Sequence, residues 1–180
     1  MEVRSGDILI AEPFLGDKHF ERGVVLMCEH NTGGSFGLVL NKKSDYILSQ
    51  LIDTTSDMPV FYGGPVQKNT LHFIHRIPHL IDDSLDLGNG IAWSGNYQTL
   101  LKLLSMNLIN PDDIRFFVGY SGWGEGQLQD ELDQNSWYVS QTTATDIFQT
   151  QAQEHWRTVL KNKGGRYKTI ANLPLDPKLN

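Results

Sequence analysis

The sequence predicts an α+β fold on a mixed β-sheet, and three observations point there. Apolar runs of strand length, among them "DILIA", "VVLMC", "GLVL" and "RFFVG", outnumber the amphipathic helical stretches. The helical stretches fall at irregular intervals, so the chain lacks the βαβ succession of a doubly wound sheet. Two apolar arms flank "NTGGS", whose glycines supply the positive φ of a tight connection, and this marks an antiparallel hairpin.

The elements follow in chain order. "GDILIA" (Gly6 to Ala11) is a short strand ended by Pro13, which has no N–H for a ladder. Asp17 is placed to N-cap a helical turn through "KHFER". "GVVLMCEH" and "FGLVLNK" are the hairpin arms; both are apolar with little alternation, as expected of a central pair covered on both faces. "DYILSQLI" reads as a short helix capped by Ser44 or Asp45, and "MPVFYGGPV" as a strand closed by a Gly-Gly-Pro turn. "TLHFIHR" is a strand stopped by Pro78, "IDDSLDLGNG" a loop, and "IAWS" another short strand. "GNYQTLLKLLSMN" is an amphipathic helix turning Leu100, Leu101, Leu103 and Leu104 inward, and "NPDD" breaks it before the strand "IRFFVGY". A helix over "QLQDELDQN", the strand "SWYVS" and a long helix from Thr145 to Lys163 complete the order. In that last helix Phe148, Ala152, Trp156 and Val159 or Leu160 recur at helical spacing, with Gly164 as its C-cap.

Length and composition suit one domain over residues 1–180, with no linker. The apolar runs are too short to cross a bilayer, and no charged n-region precedes a sustained apolar segment, so a cytoplasmic protein without membrane contact is expected. The single Cys28 precludes an internal disulfide. A net charge of −6 opposes broad attraction to phosphate backbones. One local basic run, Arg157, Lys161, Lys163, Arg166 and Lys168, contains no acid, and its first cations complement the negative end of a helix.

The strongest local signal is "FFVGYSGWGEGQLQDEL". A phosphate loop needs a different glycine order and a following Lys, whereas Gln127 follows the last glycine here and Glu125, Asp130 and Glu131 would repel a phosphate. A nucleophile elbow also fails, because Ser121 lies directly before Gly122. Four glycines close together cost roughly 0.5–1 kcal/mol each, which implies a backbone approach that side chains would forbid. A strand-to-helix joint with Trp123 folded beneath it fits. His72 and His75 would face opposite sides of a strand, and Pro78 prevents a helix that would reunite them with His79, so no metal site is expected. Cys28 and His30 share a strand face about 6.6 Å apart, and a buried structural thiol is the simpler account. The pairs Asp82–Asp83 and Asp112–Asp113 suit solvated turns.

Several stretches together, "GDILIAEPFLGDKHFERGVVLMCEHNTGGSFGLVLNK", "YGGPV", "FFVGYSGWGEGQLQDEL", "NSWY" and "HWRTVL", resemble the YqgE/AlgH family of bacterial proteins in matching order. Two departures are Gln129, where the family usually has an acid after "GQL", and a short loop from Thr54 to Met58. The resemblance implies a mixed, bifurcated β-sheet curled into a pseudo-barrel with flanking helices. It also carries the label of transcriptional regulator, from an association with exopolysaccharide regulation. The chain has no helix-turn-helix signature and its charge has the wrong sign for DNA, so regulation through a partner is expected.

Three functions follow as expectations. The first is a non-enzymatic binding module, without cofactor or catalytic residues, holding a protein or small-molecule partner with His30, Asn31, Asn41, Tyr62, Tyr120, Trp123 and Gln127. The second is a hydrolase-like enzyme with His30 as general base beside Glu131 or Cys28. The third is direct DNA binding through Lys161, Lys163, Arg166 and Lys168.

Overall fold

The computed structural model describes residues 2–174; residue 1 and residues 175–180, the ends of the expected domain, lie outside them. Among the described residues ten strands form one open sheet. β1 (Ile8–Ala11), β2 (Val24–Asn31) and β3 (Gly34–Val39) are followed by β4 (Lys43–Ile47), β5 (Pro59–Tyr62), β6 (Val66–His75), β7 (Leu85–Gly88) and β8 (Ile91–Trp93). After α1 (Tyr97–Ser105) come β9 (Ile114–Gly124), α2 (Gln127–Asp133), β10 (Trp137–Ser140), α3 (Ala144–Gln149), α4 (Ala152–Lys163) and α5 (Tyr167–Ile170). The strands lie in the order β10-β1-β2-β3-β9-β6-β8-β7, with β5 branching from β9 and carrying β4. The β5–β9 pair is parallel and the other pairs are antiparallel, so the sheet is mixed and the fold α+β, as expected.

The bifurcation has a physical cause in the glycines. One edge of β9 pairs with β5 through Phe116–Val118 and with β3 through Ser121–Gly124. Gly119, at φ +68°, sits where the edge changes partner. A Cβ on it would lie 2.6 Å from the Gly64 carbonyl oxygen, and one on Gly63 would lie 2.3 Å from the Gly119 oxygen. The glycines of "YGGPV" and "FFVGYSG" therefore meet backbone to backbone. The Gly63 N–H donates to Val118 O at 2.9 Å, and Gly63 O accepts from the Val39 N–H at 2.9 Å and from Ser121 Oγ at 3.0 Å.

The sheet also curls. Phe36 on β3 and Trp93 on β8 are three strand spacings apart, about 14 Å in a flat sheet. Their ring centroids are 5.1 Å apart. The order ends at β10 and β7 without closure, so the result is an open pseudo-barrel. Its interior gathers Ile8, Ile10, Leu26 and Leu38 from one wing, Phe117 and Ile74 from the other, and Trp156 and Leu160 of α4. Strand alternation sends Leu9, Val25 and Met27 to an outer core with Trp123, Trp137 and Leu128 of α2. Val60, Phe73, Phe116 and Val118 form the other outer core beneath Leu100 and Leu104 of α1.

The turn expected after Asp17 is present: its carboxylate accepts the His19 N–H at 2.8 Å and its carbonyl the Glu21 N–H at 2.7 Å. Several other local expectations are corrected. The stretch expected as a helix at "DYILSQLI" starts as β4 and ends in a 3-10 turn, Leu48–Gln50. Pairing with β5, and a Ser44 Oγ bond to Val60 O at 2.7 Å, outweigh the weak preference of so short a helix. The supposed loop "IDDSLDLGNG" contains β7, paired to β8. β9 runs through the glycines to Gly124, and Gly126 at φ +75° then opens α2, so the strand-to-helix joint lies later than its sequence suggests. The long C-terminal helix is two helices. Thr150 turns extended between them, at φ −83° and ψ 130°, and Arg115 Nη2 donates at 2.8 Å to Ile147 O in the last turn of α3.

Candidate functional site

The β2–β3 hairpin and the second half of β9 build a cleft. At Cys28 the ladder slips, since Met27 pairs with Gly37 but Glu29 with Phe36, and this bulge ends the buried run of β2. The Cys28 thiol falls in the interior core, where burial pushes its pKa far above the usual thiol range. Beyond the bulge Glu29, His30 and Asn31 are exposed. His30 Nδ1 lies 2.7 Å from Ser35 Oγ, its cross-strand neighbour. Asn31 braces the tip: its Nδ2 donates to Glu29 Oε1 at 2.8 Å, and its Oδ1 accepts the Gly33 N–H at 2.8 Å.

Behind this polar tip lies an aromatic cluster. Phe36 stacks on Tyr120 at 4.5 Å and on Trp93 at 5.1 Å, and His72 meets Phe36 and Tyr120 edge-on at 5.2 and 5.8 Å. All four rings are half-buried. Burial lowers the His72 pKa, which keeps its imidazole neutral at physiological pH. A concavity of about 500 Å³ between tip and rings is bordered by Glu29, Asn31, Ser35, Phe36 and Tyr120. A second, of about 520 Å³, shares Asn31 and Ser35 and adds His30. Polar groups on a braced hairpin beside half-buried aromatic rings suit recognition of a ligand with both polar and flat apolar parts.

Of the seven residues expected to form one surface, the structure brings His30, Asn31 and Tyr120 together. Trp123 borders the same cleft, but its indole is only 5% exposed. Three positions along β9 put it on the sheet face opposite Tyr120, against Phe20 and Trp137. Its Nε1 donates to Glu131 Oε2 at 2.9 Å, and Trp137 Nε1 donates to the same oxygen at 2.7 Å. Gln127 completes this joint, accepting the Gly124 N–H at 3.0 Å and donating to Glu131 Oε1 at 3.0 Å. Asn41 is occupied at both ends, by the Val24 N–H and the Arg22 carbonyl, both at 2.9 Å. Tyr62 lies in a separate depression with Lys18, His19, Lys42 and Lys68.

The partners expected for His30 are elsewhere: Cys28 is buried in the core and Glu131 is engaged by two indoles. In the basic run, Lys161, Arg166 and Lys168 are exposed, while Lys163 Nζ donates to Val139 O at 2.6 Å. Among the described residues no three His, Cys, Asp or Glu side chains are grouped to hold a metal ion, and no helix is long and apolar enough to cross a membrane. Sequence reasoning missed Phe36, His72 and Trp93 as site residues. Their aromatic character was visible, but only strand register and curl bring them together.

An open, branched sheet curled round one core, with a hairpin cleft at its aromatic mouth, defines the class of protein. The chain belongs to the AlgH-like family, whose model matches residues 8–168. A UPF0301 protein of Cytophaga hutchinsonii is 40% identical over 99% of this chain and 100% of its own length. One of Chlorobium limicola is 40% identical over 99% of this chain and 97% of its own. Among solved structures, the AlgH protein of Pseudomonas aeruginosa is similar at TM-score 0.73 and 25% identity, over 97% of this chain and 98% of that one. A Corynebacterium diphtheriae protein matches at TM-score 0.77 and 20% identity, over 96% and 94% of the two chains, and supports the fold alone.

Proposed function

We propose that the protein is a non-enzymatic binding module with a regulatory role in the cytoplasm, taking a protein or small-molecule partner in the cleft at the β2–β3 hairpin. One observation carries this: half-exposed Phe36, Tyr120, His72 and Trp93 form one contiguous aromatic cluster beside a braced polar tip. Half-buried stacked rings next to fixed hydrogen-bonding groups favour binding more than catalysis. The hydrolase reading retains only the His30–Ser35 contact, with neither Cys28 nor Glu131 beside it. Direct DNA binding draws support from three exposed cations, against a net charge of −6.

Affinity capture from native lysate tests the binding reading, comparing the wild type with Tyr120→Ala, Asn31→Ala and a distant control, Lys161→Ala. The first two should lose the specific partner while remaining folded, with an unfolding free energy lowered by no more than about 2 kcal/mol. Equal recovery with all four proteins would count against the cleft. Trp123→Ala is unsuitable as a control because it opens a core.

A further inference from the structure

The break between α3 and α4 creates a feature remote from the hairpin cleft. Arg115 reaches from β9 into the gap, donating from Nη2 to Ile147 O at 2.8 Å and from Nη1 to Leu40 O at 3.0 Å, with its guanidinium 4.7 Å from the Phe61 ring centroid. The residue is 9% exposed, and neither ion pair found among the described residues includes it. Burial lowers its pKa to about 10, so it stays charged at neutral pH. A buried guanidinium bonded only to neutral carbonyls retains donors and an uncompensated charge.

The same break exposes the start of α4. Gln151 at the N-cap makes no side-chain bond to the first turn, where the Glu154 N–H donates to Gln151 O at 3.0 Å; the Ala152 and Gln153 N–H groups and the positive end of the helix dipole remain there, with Glu154 the one acid of that turn. Both features open on one cleft of about 480 Å³, with Lys43 and Asp112 on its rim and Phe61 and Phe148 on its wall. A continuous helix would have satisfied those N–H groups internally. The break therefore leaves the Arg115 cation and the start of α4 at the same opening.

We propose that this cleft is an oxyanion site, taking the phosphate or carboxylate group of a small molecule between Arg115, Lys43 and the first turn of α4. Asp112 on the rim and Glu154 in the first turn of α4 disfavour extended polyanions, and the aromatic wall favours an apolar body attached to one anionic group. Phenyl phosphate, benzoate and inorganic phosphate, each titrated at constant ionic strength against sodium chloride, test it by amide shifts at Gln151–Glu154. Saturable local shifts are expected with at least one organic anion, and whichever of the two saturates identifies the group recognised. Lys43→Gln should weaken binding about tenfold, the scale of one charged hydrogen bond. Gln153→Glu should do likewise by placing a negative charge at the site while remaining compatible with a helix start. Neither variant alters the buried Arg115, so both are expected to fold. Non-saturating shifts that chloride reproduces, or affinities unchanged in both variants, would overturn the site.

Discussion

Three residues have roles that their burial and bonding decide. Glu131 holds the outer core together by accepting from two indole N–H groups and the Gln127 amide. Glu131→Ala should cost about 2 kcal/mol in urea unfolding, because buried donors lose their acceptor, and Glu131→Gln should cost less. Cys28 should resist iodoacetamide at neutral pH until denaturant unfolds the chain, since burial disfavours its thiolate; rapid labelling of the native protein would contradict this. His155 is fully buried with neither ring nitrogen bonded, and its pKa is lowered to about 4, first by desolvation and then by Arg115, with Asp146 opposing. The folded pKa lies below the unfolded value near 6.5, so the unfolded chain binds the proton more tightly and stability falls as pH drops from 6.5 to 4. The loss from this residue is roughly 3 kcal/mol. His155→Leu should flatten much of that slope in unfolding midpoints measured against pH, with His72 and His75, shifted the same way, retaining the rest. The misassignment of Trp123 also belongs at this scale. Alternation separated His72 from His75 in the sequence, and the same rule applied to Tyr120 and Trp123 puts them on opposite faces.

At the scale of elements, glycines with similar φ have different jobs. Gly119→Ala would set a Cβ against the Gly64 carbonyl at the sheet branch and should cost more than about 3 kcal/mol, enough to lower soluble expression. Gly126→Ala meets no atom within 4 Å and should cost only about 1 kcal/mol, the strain of its φ. If thermal unfolding ranked the two equally, the backbone-contact account of the branch would be wrong. The hairpin, α1 and the glycine stretch were legible because their signals are local: turn residues, a helical period, an unusual glycine density. β4 was not, because an eight-residue stretch of mixed apolar and polar residues is ambiguous and its partner β5 decided the outcome. The α3–α4 break was hidden because Phe148, Ala152 and Trp156 keep helical spacing across it, and Arg115, which bonds to the end of α3, lies on a distant strand.

For the whole molecule, the α+β class could be read from strand and helix counts, whereas the curl depends on pairings that no local pattern encodes. β9 takes partners from residues 34–37, 60–62 and 66–75, and that convergence places Phe36 beside Trp93 at the mouth. The binding role proposed for the protein depends on this mouth. Photo-crosslinking probes it, with benzoylphenylalanine at Thr32, an exposed turn residue beside the cleft, or, as the distant reference, at Lys161 in cells of the native host. A discrete adduct is expected from position 32 that Tyr120→Ala abolishes and that position 161 does not form. No adduct from position 32, or the same adducts from both positions, would contradict a partner in the hairpin cleft.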